Sequence, residues 1–169
     1  MASQADYRLT RTVVPSHYDI EIEPDLDDVS FTGSVGIDVD IAEATSTVVL
    51  NAVELDLHDA TITVQGTTHD AVVSLDEGHE RATLTVESEL PAGPARIVIS
   101  FTGTLNDDLR GFYRSVYKTD EGVEKTIATT QFEATDARRA FPCWDQPDFK
   151  ATYMVTLIVE DGLMAVSNA

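Results

Sequence analysis

Gln131 and Glu133 are two residues of types and at a spacing that can bind an amine. On a β-strand, residues two positions apart point to the same face and lie about 7 Å apart along the strand. An amide oxygen and a carboxylate in that arrangement can both accept hydrogen bonds from one ammonium group, and the carboxylate supplies the charge-assisted contact. The pair could instead be the solvent-facing side of an ordinary half-buried strand, so the spacing alone leaves both interpretations open.

Residues that could bind a metal or act as a nucleophile are sparse. The single cysteine, Cys143, excludes an internal disulfide and any multi-cysteine metal site, and we interpret its side chain as a small buried hydrophobe rather than a reactive thiol. The histidines are scattered, and no two of them have the helical spacing of a metal-ligand pair: His17, His58, His69 and His79. The sequence therefore predicts no metal ligand in this chain.

Residues 129–147, which we call the closing segment, combine aromatic, charged and proline residues in one irregular stretch. We expect the charged residues in and just after it to form a salt-bridged connection that packs against a further domain. These residues are Asp136, Arg138, Arg139, Asp145 and Asp148. The nearby aromatic residues Phe112, Phe141 and Trp144 are predicted to be core or interdomain contacts. No residue of this chain is assigned a catalytic role.

The elements that must position these residues follow a period of two. Between residues 31 and 41 the odd positions are apolar or glycine, as in a half-buried strand, and the alternation recurs at residues 18–23, 53–57, 82–86 and 97–101. Turn residues separate the strands at 76–79, 91–94 and 161–162, and the last pair predicts a hairpin between strands 153–159 and 163–166. No segment is convincingly helical. The predicted fold class is all-β, an antiparallel β-sandwich or a large curved, saddle-like sheet with a smaller packed sheet, in one domain spanning residues 1–169.

The charge of the sequence is strongly acidic. Thirty acidic residues against eleven basic ones give a net charge of −19, which excludes a phosphate-binding nucleic-acid surface. The acidic excess is spread along the chain, and lysine is scarce. This pattern resembles proteins of salt-loving organisms, where high ionic strength screens self-repulsion, and it suggests a halophilic prokaryote or archaeon as the source.

The beginning and end of the sequence also carry expectations. No basic region followed by an apolar stretch marks a secretory signal, and no apolar run is long enough to cross a bilayer. We therefore expect a soluble, cytoplasmic protein without a membrane partner. Ala169 comes two residues after a strand-like segment, and this abrupt end suggests that the chain is part of a longer protein.

The closing segment carries a resemblance to a known family. Its Thr-Gln-Phe-Glu run, followed by Asp-Ala-Arg-Arg-Ala-Phe-Pro-Cys and an aromatic-Asp-Gln-Pro turn, resembles the end of the amino-terminal domain in the aminopeptidase N family of zinc metallopeptidases, the gluzincin aminopeptidases. Three further stretches, residues 14–19, 31–35 and 109–115, resemble the family in the same order. Two departures are visible, because Ala134 replaces a common proline and Gln146 a common glutamate.

The resemblance implies a function for the parent protein and a role for this domain. It implies a zinc-dependent aminopeptidase that removes amino-terminal residues from peptides, with this domain capping the active-site cleft. Gln131 and Glu133 would then be substrate-binding residues that help to hold the free α-amino group. The motifs that the family uses to bind zinc, including a His-Glu-x-x-His helix, do not occur in this sequence. We therefore expect this chain alone to bind no catalytic zinc and to be inactive, and we expect the missing catalytic domain and peptide substrates to be its partners.

Two other function classes remain open. Some relatives of the family keep the architecture but lack the zinc ligands and act as non-catalytic scaffolds. The Gln-x-Glu pair favours the peptidase, because a scaffold needs no amine anchor. The weaker alternative is a free-standing β-sandwich that binds ligands or sugars, for which no exposed aromatic platform is readable from the sequence.

The acidic composition leads to a prediction about salt. If the chain is adapted to high ionic strength, its free energy of unfolding should rise from dilute buffer to molar potassium chloride, because salt screens repulsion among its carboxylates. Denaturant titrations at both salt levels measure this difference. Equal stability in the two solutions would rule out a halophilic protein.

Overall fold

The computed structural model describes residues 8–168, and within that range the fold is all-β, as the period-two pattern predicts. The strands are β1 Val13–Asp25, β2 Ser30–Ile41, β3 Thr45–Asn51, β4 Leu55–Val64, β5 Thr67–Asp76, β6 Arg81–Leu90, β7 Gly93–Thr104, β8 Gly111–Lys118, β9 Glu124–Gln131 and β10 Thr152–Leu157. A 3₁₀ helix, Ala137–Arg139, lies between β9 and β10. In the described part of the chain, no helix has the length and apolar character needed to span a membrane.

Eight strands form one large, curled sheet in the spatial order β10-β1-β2-β7-β4-β5-β6-β3. Strand β5 changes partner along its length, because residues 67–70 pair with β4 and residues 71–76 pair with β6. The apolar faces of both halves contribute to a single core. The sheet therefore encloses its core by curling, which matches the predicted large curved sheet.

Strand β2 lies near the middle of the large sheet and shows the alternation clearly. Its inward side chains are at most 3% exposed: Phe31, Val35, Ile37, Val39 and Ile41. Gly33 belongs to the same series, and a side chain there would collide with the ring of Phe101. Each large apolar side chain buried in this way stabilises the fold by roughly 1.5–3 kcal/mol.

The smaller sheet is the hairpin of β8 and β9, which are joined in antiparallel register from Gly111 opposite Gln131 to Lys118 opposite Glu124. An isolated two-stranded hairpin is only marginally stable in water, so its attachment to the large sheet matters. Phe112 provides that attachment, because its buried ring lies 5.2 Å from the ring of Phe31. The hairpin is therefore fixed at its base, where β9 ends and the closing segment continues.

The end of the chain differs from the predicted hairpin. Strand β10 pairs in parallel with β1, a long-range pairing that the local pattern did not predict, and Ile158 extends this ladder by donating to the carbonyl of Ile22 at 3.0 Å. The turn at residues 161–162 does form, with the Leu163 amide donating to the Glu160 carbonyl at 3.1 Å. Residues 163–168 form no strand, however, so the predicted strand at 163–166 is wrong for this structure. The physical reason is that β10 takes its hydrogen-bond partner from β1, and the chain leaves that ladder after Ile158.

Tyr18 on β1 ties the closing segment to the large sheet. Its side chain is buried, and its hydroxyl oxygen accepts a hydrogen bond from the Trp144 amide at 3.1 Å. The Tyr18 ring stacks on Tyr153 at 5.0 Å and meets the edge of Phe141 at 6.2 Å. Burial raises the pKa of Tyr18 well above its usual value, so the hydroxyl stays protonated.

Removing the Tyr18 hydroxyl tests how much its hydrogen bond with the Trp144 amide stabilises the fold. In Tyr18→Phe the buried Trp144 amide loses its partner, and we expect the free energy of unfolding to fall by about 1–3 kcal/mol. Urea unfolding followed by the fluorescence of Trp144, the single tryptophan, measures the change. Tyr153→Phe is the matched control, because Tyr153 is 55% exposed and its expected change is within about 0.5 kcal/mol. Equal losses in both variants would contradict this role of the Tyr18 hydroxyl.

Candidate functional site

Gln131 is the last residue of β9, and its side chain is exposed. The strand ends there because its partner β8 begins at Gly111, directly opposite. Gly111 has a positive φ of 69°, a conformation that glycine adopts without steric cost. The expectation that Gln131 and Glu133 lie on one strand is therefore wrong, because Glu133 lies beyond the paired residues.

Glu133 lies instead at the start of a turn that follows β9. The Asp136 amide donates to the Phe132 carbonyl at 2.9 Å and closes this turn. The half-buried Phe132 ring packs edge-on against Phe141, with the ring centroids 6.1 Å apart. Phe132 thus anchors the turn in the core, while Glu133 is exposed to solvent.

Arg139 is one of two adjacent buried arginines, and its side chain is 8% exposed. Its Nε donates to Asp136 at 2.8 Å, and its guanidinium also lies 2.5 Å from Glu54 and 3.6 Å from Glu80. Burial opposes the positive charge, but the neighbouring carboxylates of Glu54 and Asp136 outweigh it and raise the pKa of Arg139 above its usual value. The guanidinium is therefore charged at every pH at which the protein folds.

Arg138 turns to different partners. Its side chain is 10% exposed, its Nε donates to Asp145 at 2.9 Å, and its Nη1 donates to Glu80 at 3.0 Å. Glu80 is thus shared by both arginines. Together with Asp148, which pairs with exposed Arg11 at 2.7 Å, these contacts confirm the predicted salt-bridged connection.

Asn51 joins the closing segment to the end of β3. Its backbone exchanges two hydrogen bonds with Cys143, at 2.7 and 3.0 Å. Its buried side-chain amide accepts from the Asp145 amide at 3.2 Å and donates to the Glu80 carbonyl at 3.3 Å. One buried side chain therefore connects β3, the turn before β6 and the closing segment.

Glu133 differs from the other acidic residues in and just after the closing segment. Asp136, Asp145 and Asp148 each pair with an arginine. Glu133 makes no side-chain hydrogen bond or ion pair within residues 8–168, and the same is true of Gln131. An exposed carboxylate and a neighbouring amide are therefore available to a ligand that donates hydrogen bonds.

One surface groove of the described chain lies away from these two residues. It has a volume of about 690 Å³, and its lining includes the carboxylates of Glu54, Asp56 and Glu77 but neither Gln131 nor Glu133. The Glu54 carboxylate is already paired with Arg139. Gln131 and Glu133 are exposed and do not line this groove.

Metal binding has no support from the residues that the structure describes. No group of three or more histidine, cysteine, aspartate or glutamate side chains is placed to hold an ion within residues 8–168. His17 lies between Thr152 and Asp19 at 2.7 and 3.1 Å, and His79 contacts Asp76 at 2.8 Å. These histidines act in local polar contacts, and the residues that the structure describes do not fit a zinc site.

Sequence reasoning missed three residues that hold the closing segment: Asn51, Glu54 and Glu80. They lie more than fifty residues before the arginines in the chain, so local spacing gives no signal of the contact. Glu54 and Glu80 both have positive φ values, 58° and 53°, in the connections that flank β4 and β6. Only the curl of the sheet brings these connections together.

The fold and the closing segment define the class of this chain: an all-β, curled-sheet domain in which the exposed Gln131 and Glu133 side chains have no partner within residues 8–168. The chain belongs to the Peptidase M1 N-terminal domain family, whose profile matches residues 14–169. This membership confirms the resemblance to the aminopeptidase N family.

Proteins with similar sequences support the same family. The chain is 47% identical over 161 residues to Aminopeptidase M1-C of Oryza sativa subsp. japonica. It is 42% identical over 166 residues to Aminopeptidase M1 of Arabidopsis thaliana, and 42% identical over 165 residues to Puromycin-sensitive aminopeptidase of Caenorhabditis elegans. Each match covers 95% of this chain, which spans only 17–19% of the length of these relatives.

The environment of Cys143 leads to a prediction about its reactivity. The side chain is 4% exposed, which confirms its interpretation as a buried residue, and burial raises the pKa of its thiol well above the usual value. Since the thiolate is the reactive form, we expect a soluble disulfide reagent at pH 8 to modify Cys143 very slowly in the folded chain. Absorbance of the released thiolate measures the rate, and the same chain in urea is the control. Equal rates in the two conditions would contradict the buried position.

Proposed function

We propose that this chain is the amino-terminal domain of a zinc-dependent aminopeptidase that removes amino-terminal residues from peptides. In this proposal the domain caps the active-site cleft, and Gln131 and Glu133 bind the α-amino group of the substrate. The observation that carries the proposal is the Glu133 carboxylate, which has no partner within residues 8–168, whereas the other acidic residues in and just after the closing segment each pair with an arginine. The names of the relatives, all of them aminopeptidases, support the substrate class.

The chemistry of an ammonium group fits this pair of acceptors. A peptide α-ammonium carries three donors and a positive charge, so it can donate to the Glu133 carboxylate and to the Gln131 amide oxygen. On an open surface such an ion pair contributes little, because water screens the charges. The contact becomes stronger when another part of the protein covers the pair and excludes water, as the capping role requires.

The proposed zinc belongs to the whole protein and not to this chain. Zinc in a peptidase polarises the peptide carbonyl and activates water. The described residues do not fit such a site, so its ligands would have to come from another part of the protein. The contribution of this chain is restricted to binding and orienting the amino terminus of the substrate.

The cellular setting is also part of the proposal. We propose a cytoplasmic protein that trims peptides in a high-salt interior, because a net charge of −19 suits an environment that screens self-repulsion. High salt would weaken the exposed Glu133 ion pair as well. Shielding the Glu133 carboxylate from the solvent is therefore more important in a protein that works at high salt than in one that works at low salt.

Substitution of Glu133 in the full-length protein tests the function. Loss of one charge-assisted hydrogen bond costs about 1.5–3 kcal/mol, so Glu133→Ala should raise KM for aminoacyl-arylamides by roughly 10- to 150-fold. Gln131→Ala should have a smaller effect, because a neutral hydrogen bond contributes about 0.5–1.5 kcal/mol. Steady-state kinetics with short amino-terminal substrates measure both changes.

Two controls belong to this experiment. Glu87→Ala removes an equally exposed carboxylate from β6, and its KM should match that of the parent protein. The 169-residue chain alone should neither contain stoichiometric zinc nor hydrolyse the substrates. Unchanged KM in Glu133→Ala would overturn the amine anchor. Activity in the chain alone would overturn the proposed division between this domain and a catalytic domain, and a full-length protein without zinc or activity would point to a scaffold.

A further inference from the structure

The two proposed anchor residues depend on the backbone for their position. Within residues 8–168, neither Gln131 nor Glu133 has a side-chain partner to orient it. Gln131 ends a strand of the small hairpin, and Glu133 lies in the turn that follows. The distance between their side chains is therefore set by whatever fixes the end of β9 relative to that turn.

Arg139 contacts both the end of the β8–β9 hairpin and the turn that contains Glu133. On one side it packs on Gly111, the residue opposite Gln131, so closely that a side chain at Gly111 would collide with the Arg139 Cβ. On the other side its Nε donates to the Asp136 carboxylate at 2.8 Å, and the Asp136 amide closes the turn that contains Glu133. One side chain thus links the end of the hairpin to the end of the turn.

Arg139 is itself held from the large sheet. Its guanidinium pairs with Glu54 at 2.5 Å and reaches Glu80 at 3.6 Å, and both carboxylates belong to connections of the curled sheet. Because the side chain is 8% exposed, moving it away from these carboxylates would leave a buried charge without a partner. Displacing the link between hairpin and turn is therefore energetically costly.

We propose that Arg139 is a positioning residue for the amine anchor: it fixes the turn of Glu133 against the strand end of Gln131 through Asp136 and Gly111. This inference rests on the proposed function, because it concerns the same amine site. The planar guanidinium is needed for the role, since its Nε donates to Asp136 while its two Nη atoms form ion pairs with Glu54 and Glu80. Lysine has the same charge, but its single ammonium group cannot reproduce the planar arrangement of N–H donors in a guanidinium.

The test is Arg139→Lys in the full-length protein. We expect KM for aminoacyl-arylamides to rise by about 5- to 50-fold while kcat changes little, because the variant displaces the anchor but not the reacting groups. A variant that only destabilised the fold would lower the amount of active enzyme and leave KM unchanged. Glu133→Ala combined with Arg139→Lys should have the KM of Glu133→Ala alone, because Arg139 acts through Glu133.

Arg138→Lys is the matched control. Arg138 is adjacent in sequence, is buried to a similar extent and also pairs with Glu80, but its other partner is Asp145 rather than Asp136. Its KM should remain that of the parent protein. If Arg139→Lys does not fold, Asp136→Asn replaces it. This variant weakens the contact between Arg139 and Asp136, and its KM is judged by the same criteria.

The outcomes separate this inference from the proposed function. A KM increase in Glu133→Ala without one in Arg139→Lys, or an equal increase in Arg138→Lys, would overturn the positioning role and leave the amine anchor in place. Additive increases in the double variant would also overturn it, because Arg139 would then act independently of Glu133. No KM change in Glu133→Ala would overturn the anchor and the inference together.

Discussion

Two adjacent buried arginines need carboxylates, and this requirement organises the structure around the closing segment. A guanidinium that is about nine-tenths buried has lost most of its water, so each positive charge must be matched by well-placed acceptors. Arg138 and Arg139 obtain them from Glu54 and Glu80 in the large sheet and from Asp136 and Asp145 in their own segment. The irregular segment is thereby fastened to the sheet on both sides of its 3₁₀ helix.

This fastening is only achievable because the apolar core has already curled the sheet. Strand β5 pairs first with β4 and then with β6, and this change of partner brings the connections that carry Glu54 and Glu80 to the same edge of the fold. Burial of apolar side chains on both halves drives the curl but has no directional preference. The ion pairs and the Asn51 hydrogen bonds supply direction, since they require particular distances and angles.

The balance of charges also explains why Glu133 has no arginine partner within residues 8–168. Four carboxylates surround the two arginines, so this network has more acidic than basic residues. Both arginines are already paired with these carboxylates, and neither pairs with Glu133. Its neighbour Phe132 is turned inward and packs on Phe141, and the turn therefore presents Glu133 outward. The two adjacent residues therefore differ in environment: Phe132 holds the turn in the core, and Glu133 is exposed to solvent.

The sequence by itself determined the all-β class, the period-two strands of the large sheet, the turns at residues 76–79 and 91–94 and the salt-bridged character of the closing segment, because these depend on local alternation and composition. The tertiary structure decided the parallel pairing of β10 with β1, the end of β9 at Gln131 and the choice of Glu54 and Glu80 as partners of Arg139. These features join residues that are far apart in the chain. Their energies depend on distance and burial, which exist only after the sheet has curled.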